Sequence, residues 1–300
     1  KALVVLDPAL KLATHVFPCE VGHAQERSLL DQVLPCVEKG DLWIEDRNFC
    51  TLGFLFGIRS RQAKFLVRQH AKLPGRLRGR RKYMGRINTG RVYEQSMEIT
   101  DPKTGATMTI RRISVKLYQP TRDGDTELHI LTNVPRSVAN ACKLADLYRK
   151  RWTIETMFQE LTETLTCEIK TLGYPKAAVF AFCLALVAYN GISVIKAALR
   201  SVHGMDTVEE DVSGYYISLE ISKTYTGMMI AIPPKHWTVF RDMSVAQLAS
   251  VLKELAHHVD LSKYQKHPRG PKQPRPERTY AGRTNHVSTA RILAKRKTAA

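Results

Sequence analysis

The chain opens with two short apolar runs, residues 2–7 and 11–17, on either side of Asp7-Pro8-Ala9-Leu10. β-Branched and apolar residues flanking an Asp-Pro turn predict a hairpin. Over residues 26–37, Leu29, Leu30, Val33 and Leu34 fall at helical spacing and Gly40 ends the pattern, which predicts a helix. Residues 41–45 read as a short strand with Asp46 at its C-terminal end, 51–57 as a helix and 63–68 as another strand, for an order ββαβαβ. Then the texture changes. Residues 95–100, 107–117 and 127–132 are strand-like, with turns at Asp101-Pro-Lys-Thr-Gly105 and Asp123-Gly-Asp125, so a β-rich insertion of about 50–60 residues is expected.

From Ser137, placed as an N-cap, an unbroken helical pattern through Leu144, Leu147, Trp152, Ile154, Met157, Phe158 and Leu161 reaches about residue 165. After Gly173-Tyr-Pro175 comes an apolar helix over 176–199. Its stretch 177–195 carries no charge, but Asn190, Gly191 and Ser193 interrupt it and Ala dominates over Leu, which favours a buried core helix over a membrane span. Helical segments near 213–230 and 244–257 follow, and 263–284 holds Pro268, Pro271, Pro274 and Pro276 among cations, a composition that cannot form a core. The expected division is 1–70 and 137–200 as core, 71–136 as basic linker and β-rich insertion, 201–260 as a helical C-terminal region and 261–300 as a disordered basic tail.

With 44% hydrophobic and 25% charged residues the chain is an ordinary folded protein, not a disordered or fibrous one. Its charge is unusual: 46 Lys and Arg against 28 Asp and Glu, a net +18. Residues 59–86 hold eleven cations and no acid, and 261–300 eleven against Glu277 alone, so the remainder nets only −3. Clustered cations displace counterions from a polyanion more profitably than scattered ones, so nucleic acid is the expected partner. A membrane surface would need an amphipathic anchor, which the sequence lacks. Cys19, Cys36, Cys50, Cys142, Cys167 and Cys183 form no CxxC pair and no zinc-like spacing. They read as small buried hydrophobes in a reducing compartment, and with no signal-peptide anatomy the expected location is cytoplasmic, on the nucleoid when bound to DNA.

Two places can carry chemistry. Asp46 ends a strand between two helices, where an open α/β sheet exposes its ligand-binding edge, although an N-cap for the next helix is the plainer alternative. Tyr148, Arg151 and Glu155 stand at i, i+3 and i+7 and share a helix face; an exposed Arg–Glu pair is the plainer alternative there. Glu163 returns to nearly the same face and is the reserve acid. Trp43 and Trp152 read as core anchors, and His257-His258 as surface groups.

The segment Tyr148-Arg-Lys-Arg151-Trp-Thr-Ile-Glu155 resembles the Tyr-x2-Arg-x3-Glu-x6-Lys signature of DDE transposases of bacterial insertion sequences, in insertion-sequence family four. Glu-Asp46-Arg-Asn-Phe49 resembles that family's strand with the second catalytic Asp, and His286-Val-Ser-Thr-Ala-Arg291 is similar to its C-terminal tail. The resemblance implies an α/β, ribonuclease H-like core with a β insertion. It implies Asp46 and Glu155 as catalytic ligands of two Mg2+ (or Mn2+) ions, Tyr148 and Arg151 as DNA contacts, double-stranded DNA at transposon ends and target as substrate, and a homodimer bridging two ends.

Three departures accompany it. The signature Lys is Thr162, with Lys170 as the possible substitute cation; the small residue two after the second Asp is Asn48. The first catalytic Asp is not evident, since Asp7 sits in a turn only 39 residues before Asp46. The opening strand is therefore expected upstream of Lys1, and the chain as given could instead act as a truncated or domesticated DNA-binding relative without catalysis.

Overall fold

A computed structural model describes residues 2–19, 25–121, 124–164, 167 and 174–267, with the side chains of 163, 164 and 175 outside the description. The expectations for Lys170, the Glu163 side chain and the tail beyond 267 lie outside these residues. The described residues fall in two compact units that divide between 193 and 194.

In the first unit, β1 (Ala2–Asp7) and β2 (Leu12–Pro18) pair antiparallel as the expected hairpin. Asp7 Oδ1 accepts from the Ala9 and Leu10 amides at 2.8 and 3.0 Å, so this carboxylate is spent in closing the turn. The helix expected over 26–37 is a 3-10 turn (Glu26–Leu29), one α turn, α1 (Leu30–Val33), and a second 3-10 turn (Leu34–Cys36). Pro35, which has no N–H to give, prevents regular continuation. Then β3 (Leu42–Glu45), α2 (Leu52–Ser60) and β4 (Lys64–Arg68) form a parallel βαβ unit in which Glu45 lies opposite Val67.

The basic stretch is corrected from a linker to a strand. β5 (Arg76–Ile87) is followed by β6 (Gly90–Thr100), β7 (Thr107–Leu117) and β8 (Glu127–Thr132), and the last two match their sequence expectation. The insertion is not a separate sheet either. β8 pairs with β4, giving one six-stranded sheet in the order β3-β4-β8-β7-β6-β5 with β3 and β5 at its edges. Glu94 locks the insertion internally: its buried carboxylate accepts from Arg111 Nε and Nη2 at 3.1 and 2.8 Å and from Arg136 Nε at 2.6 Å.

One face of this sheet packs on α1 and α2 through Val33, Leu55, Ile58, Phe65, Val67, Ile99 and Leu131. The other packs Leu66, Val92, Ile113, Val115 and Ile130 on α3 (Ala141–Arg149). The predicted 137–165 helix is segmented: α3, a 3-10 turn (Lys150–Trp152), α4 (Thr153–Gln159) and a π turn (Glu160–Thr164). Its N-cap is Asn140, whose side chain accepts from the Lys143 amide at 2.8 Å, rather than Ser137.

α5 (Pro175–His203) packs Ala185, Leu186 and Tyr189 against Val4, Met157 and Leu161. It is not the buried helix the sequence implies, because Phe180 and Val187 are each 67% exposed and Leu184 is 54% exposed. Among the described residues it is the one helix long and apolar enough to cross a bilayer. The second unit adds α6 (Met205–Asp211), α7 (Gly214–Ala231), α8 (Thr238–Arg241) and α9 (Val245–His257) around Leu199, Val208, Val212, Ile217 and Ala256. Ser244 and Gln247 close a capping box at the start of α9.

Candidate active site

β3 is four residues of strand with alternating sides, so its last residue and the one after it point to opposite faces of the sheet. Glu45 turns into the α1–α2 side. It is 6% exposed and neither carboxylate oxygen has a hydrogen-bond partner. Burial pushes its carboxyl well above the usual carboxylate range. The same burial, with Glu45 adding, pushes the neighbouring Cys50 thiol up to about 11.

Asp46 turns the other way. It holds the N-cap position of the 3-10 turn Arg47–Phe49 yet makes no capping hydrogen bond, and the turn is fastened instead by Phe49 N to Asp46 O at 3.0 Å and Arg27 Nε to Asn48 O at 2.6 Å. The capping alternative raised by the sequence is therefore not what this carboxylate does.

Across from it, α3 presents Tyr148, 8% exposed, with its hydroxyl buried and without a hydrogen bond. Burial pushes this phenol far up; the Arg151 guanidinium opposes, the Asp46 carboxylate adds, and Arg68 opposes. The charges of Asp46, Arg151 and Arg68 thus converge on one buried hydroxyl. Arg151 Nη2 donates to Glu155 Oε1 at 3.0 Å, while its Nε is buried without an acceptor. The guanidinium carbon lies 5.2 Å from the Trp152 ring centroid. Trp152 itself is 61% exposed, which corrects its reading as a core anchor, whereas Trp43 is half-buried and packs edge-on against Phe54.

Asp46 and Arg151 thus lie within electrostatic reach of the Tyr148 hydroxyl, and Arg151 is paired with Glu155. Thr162, at the signature's Lys position, donates its hydroxyl to the Phe158 and Gln159 carbonyls at 3.1 and 3.2 Å and is spent on its own helix. Sequence reasoning missed Arg68, whose Nη2 donates to Asp125 Oδ2 at 2.7 Å and holds that carboxyl below its ordinary range. It missed Glu45 too, although an acid in the last position of an apolar strand was a visible signal.

Carboxylate oxygens suit a hard divalent cation. No hydrogen bond or ion pair from a described residue engages the Asp46 carboxylate, while that of Glu155 is engaged by Arg151. Among the described residues no three His, Cys, Asp or Glu side chains form a metal-holding group. Carboxylate is the donor chemistry a divalent ion takes, and Asp46 and Glu155 are the carboxylates at this end of the sheet that could offer it.

An acid at the end of a parallel β-strand, beside a segmented helix that carries Tyr, Arg and Glu, marks the candidate site of this α/β protein. A family model described as the transposase DDE domain matches residues 2–190, and the chain belongs to that family. Its members transpose DNA and generally use divalent metal ions, so DNA is this protein's partner. No curated protein matches the chain.

Proposed function

We propose that this chain is the catalytic part of a cut-and-paste DNA transposase of insertion-sequence family four, hydrolysing phosphodiester bonds at transposon ends and joining them to target DNA. The observation that carries the reading is the match of residues 2–190 to the transposase DDE domain, supported by the Arg151–Glu155 pair beside the buried Tyr148 and by Asp46 within electrostatic reach of it. Asp46 and Glu155 would hold Mg2+, which when bound lowers the pKa of an attacking water or 3′-hydroxyl.

The remaining roles belong to the chain. Arg151 aligns a DNA phosphate with the planar donors it does not give to Glu155. Tyr148 fixes the place of Arg151 and Asp46 by filling the space between them. Burial keeps the Tyr148 hydroxyl a neutral donor, so it can pair with the phosphate backbone without repelling it. Two copies would act together on two ends.

The pairing of Glu155 with Arg151 and the two-carboxylate donor set favour a second reading, a DNA-binding relative without catalysis. One experiment separates them. The protein is given end-containing DNA and Mg2+, and nicking is compared with Asp46→Ala and Glu155→Ala. Nicking abolished in both variants supports the transposase; equal nicking in either variant sinks it, and binding without nicking in every protein leaves the non-catalytic relative.

A further inference from the structure

The strand registers place a row of like charges across the insertion. Arg86 on β5 lies directly opposite Arg91 on β6, and Arg91 directly opposite Lys116 on β7, with Glu127 on β8 ending the row. Residues directly opposite one another in antiparallel strands share a face, and like charges so placed destabilise a sheet. All three cations are exposed. Glu127 does not relieve them, because it is ion-paired with Arg81.

The rest of this half-face has the same character. Tyr83 is 59% exposed and meets Tyr93 edge-on at 5.6 Å between centroids, and the Arg81 guanidinium lies 4.2 Å over the Tyr93 ring. His129, on the same face, is pushed down to about 4 by burial and by Arg112, with Arg81 and Arg68 adding and Glu127 opposing. The α1–α2 layer covers the other end of this face, at Phe65, Val67, Ile99 and Leu131, and leaves the aromatic-cationic end open.

This surface looks away from Asp46. Alternation puts Arg91, Tyr93 and Lys116 on the face opposite Val92, Ile113 and Val115, and it is the Ile113 face that carries α3 and Tyr148, beside Asp46. A duplex lying against Asp46 cannot also lie flat on the other side of the same sheet.

We propose that Tyr83, Arg86, Arg91, Tyr93 and Lys116 form a second double-stranded-DNA surface, which holds a duplex segment other than the one being cut. That it is other than the cut segment rests on the proposed role of Asp46. Cations that repel each other in the free protein are neutralised by phosphates, and the paired tyrosines pack on the backbone between them.

The test is a bridging assay without divalent metal. A biotinylated random-sequence duplex on beads captures a second, fluorescent duplex through the full chain. The variant Arg86→Gln/Arg91→Gln/Lys116→Gln is expected to lose bridging at least about fivefold while still binding one duplex, with a salt slope shallower by about 0.9 for each contact removed. Its Tm should not fall, because the row is self-repelling. Removing as many charges from the opposite end of the sheet, Lys39→Gln/Lys64→Gln/Lys103→Gln, should leave bridging intact, and so should the charge-keeping Arg86→Lys/Arg91→Lys.

Unchanged bridging in the triple variant overturns the proposal, as does loss of all duplex binding, which would make this the sole DNA surface. If the triple variant fails to fold, Lys116→Gln alone carries the test through its salt slope. Asp46→Ala should bridge like the parent protein, so a failure of the nuclease reading shows in nicking while a failure of this inference shows in bridging.

Discussion

Arg151 donates to Glu155 at 3.0 Å across one helical turn, yet its Nε is buried with no acceptor. The guanidinium is therefore only partly used by the folded protein, and the carboxylate it holds is 44% exposed. An i,i+4 pair of this kind contributes about 0.2–0.5 kcal/mol. Glu155→Gln should accordingly change Tm by no more than about 2 °C. Mg2+-dependent nicking, in contrast, should fall at least about a hundredfold, or about 2.7 kcal/mol of barrier. Thermal melts alongside a nicking time course check both; a large Tm loss with proportionate activity loss would mean a structural role.

Glu45 predicts an unusual pH dependence. Its folded pKa is raised above the unfolded value, so the unfolded chain releases this proton first as pH rises. Stability is greatest below the ordinary carboxylate value of 4.5 and declines as pH climbs from there toward the folded value. Glu45→Gln keeps the shape and removes the titration. Urea unfolding at pH 4 and pH 8 should show the variant gaining on the parent only at the higher pH; a pH-independent difference would refute the assignment.

Glu94 titrates in the opposite sense. Burial works upward on its carboxyl, but hydrogen bonds from Arg111 and Arg136 outweigh it and the net shift is downward. Its contribution is present above 4.5 and is lost as pH falls through the depressed value. Glu94→Ala would leave Arg111, 11% exposed and also bonded to the Val134 and Ala139 carbonyls, without its counter-charge. The expected cost is about 3–5 kcal/mol in urea unfolding near pH 7, and a loss under about 1 kcal/mol would show the triad to be dispensable.

Gly90 is a steric requirement. A Cβ there would stand 2.3 Å from the Lys116 carbonyl oxygen, which is backbone and cannot swing aside. Gly90→Ala should destabilise by about 1–3 kcal/mol and shift the pairing of Arg91 with Lys116, visible as weakened protection of the β6 and β7 amides in hydrogen exchange.

Local signals explain what was legible in the sequence. The β7 and β8 strands were readable because their alternation is bounded by Asp-Pro and Asp-Gly turns, and the parallel β3–β4 unit because apolar runs alternate with helical spacing. β5 was not readable. Ile87 is its one buried residue, cations and Gly fill most of the other positions, and it is an edge strand exposed along nearly its whole length, so no period-2 hydrophobic pattern exists. The break in the 137–165 helix was equally hidden, because apolar spacing does not distinguish α from 3-10 or π turns over a few residues. For the site, Asp46 and the Tyr148–Arg151–Glu155 face were visible as motifs. The burial of Glu45, though not the acid itself, and the reach of Arg68 were hidden, since both depend on which side of a strand ends up dry.

The hydrogen-bond ladder that runs from β4 through β8 and β7 to β6 without a register shift makes the insertion an extension of the strands beside Asp46 rather than a tethered module. Torque applied to the far margin of that slab is delivered to the carboxylate's neighbourhood as a tilt instead of being absorbed by a hinge.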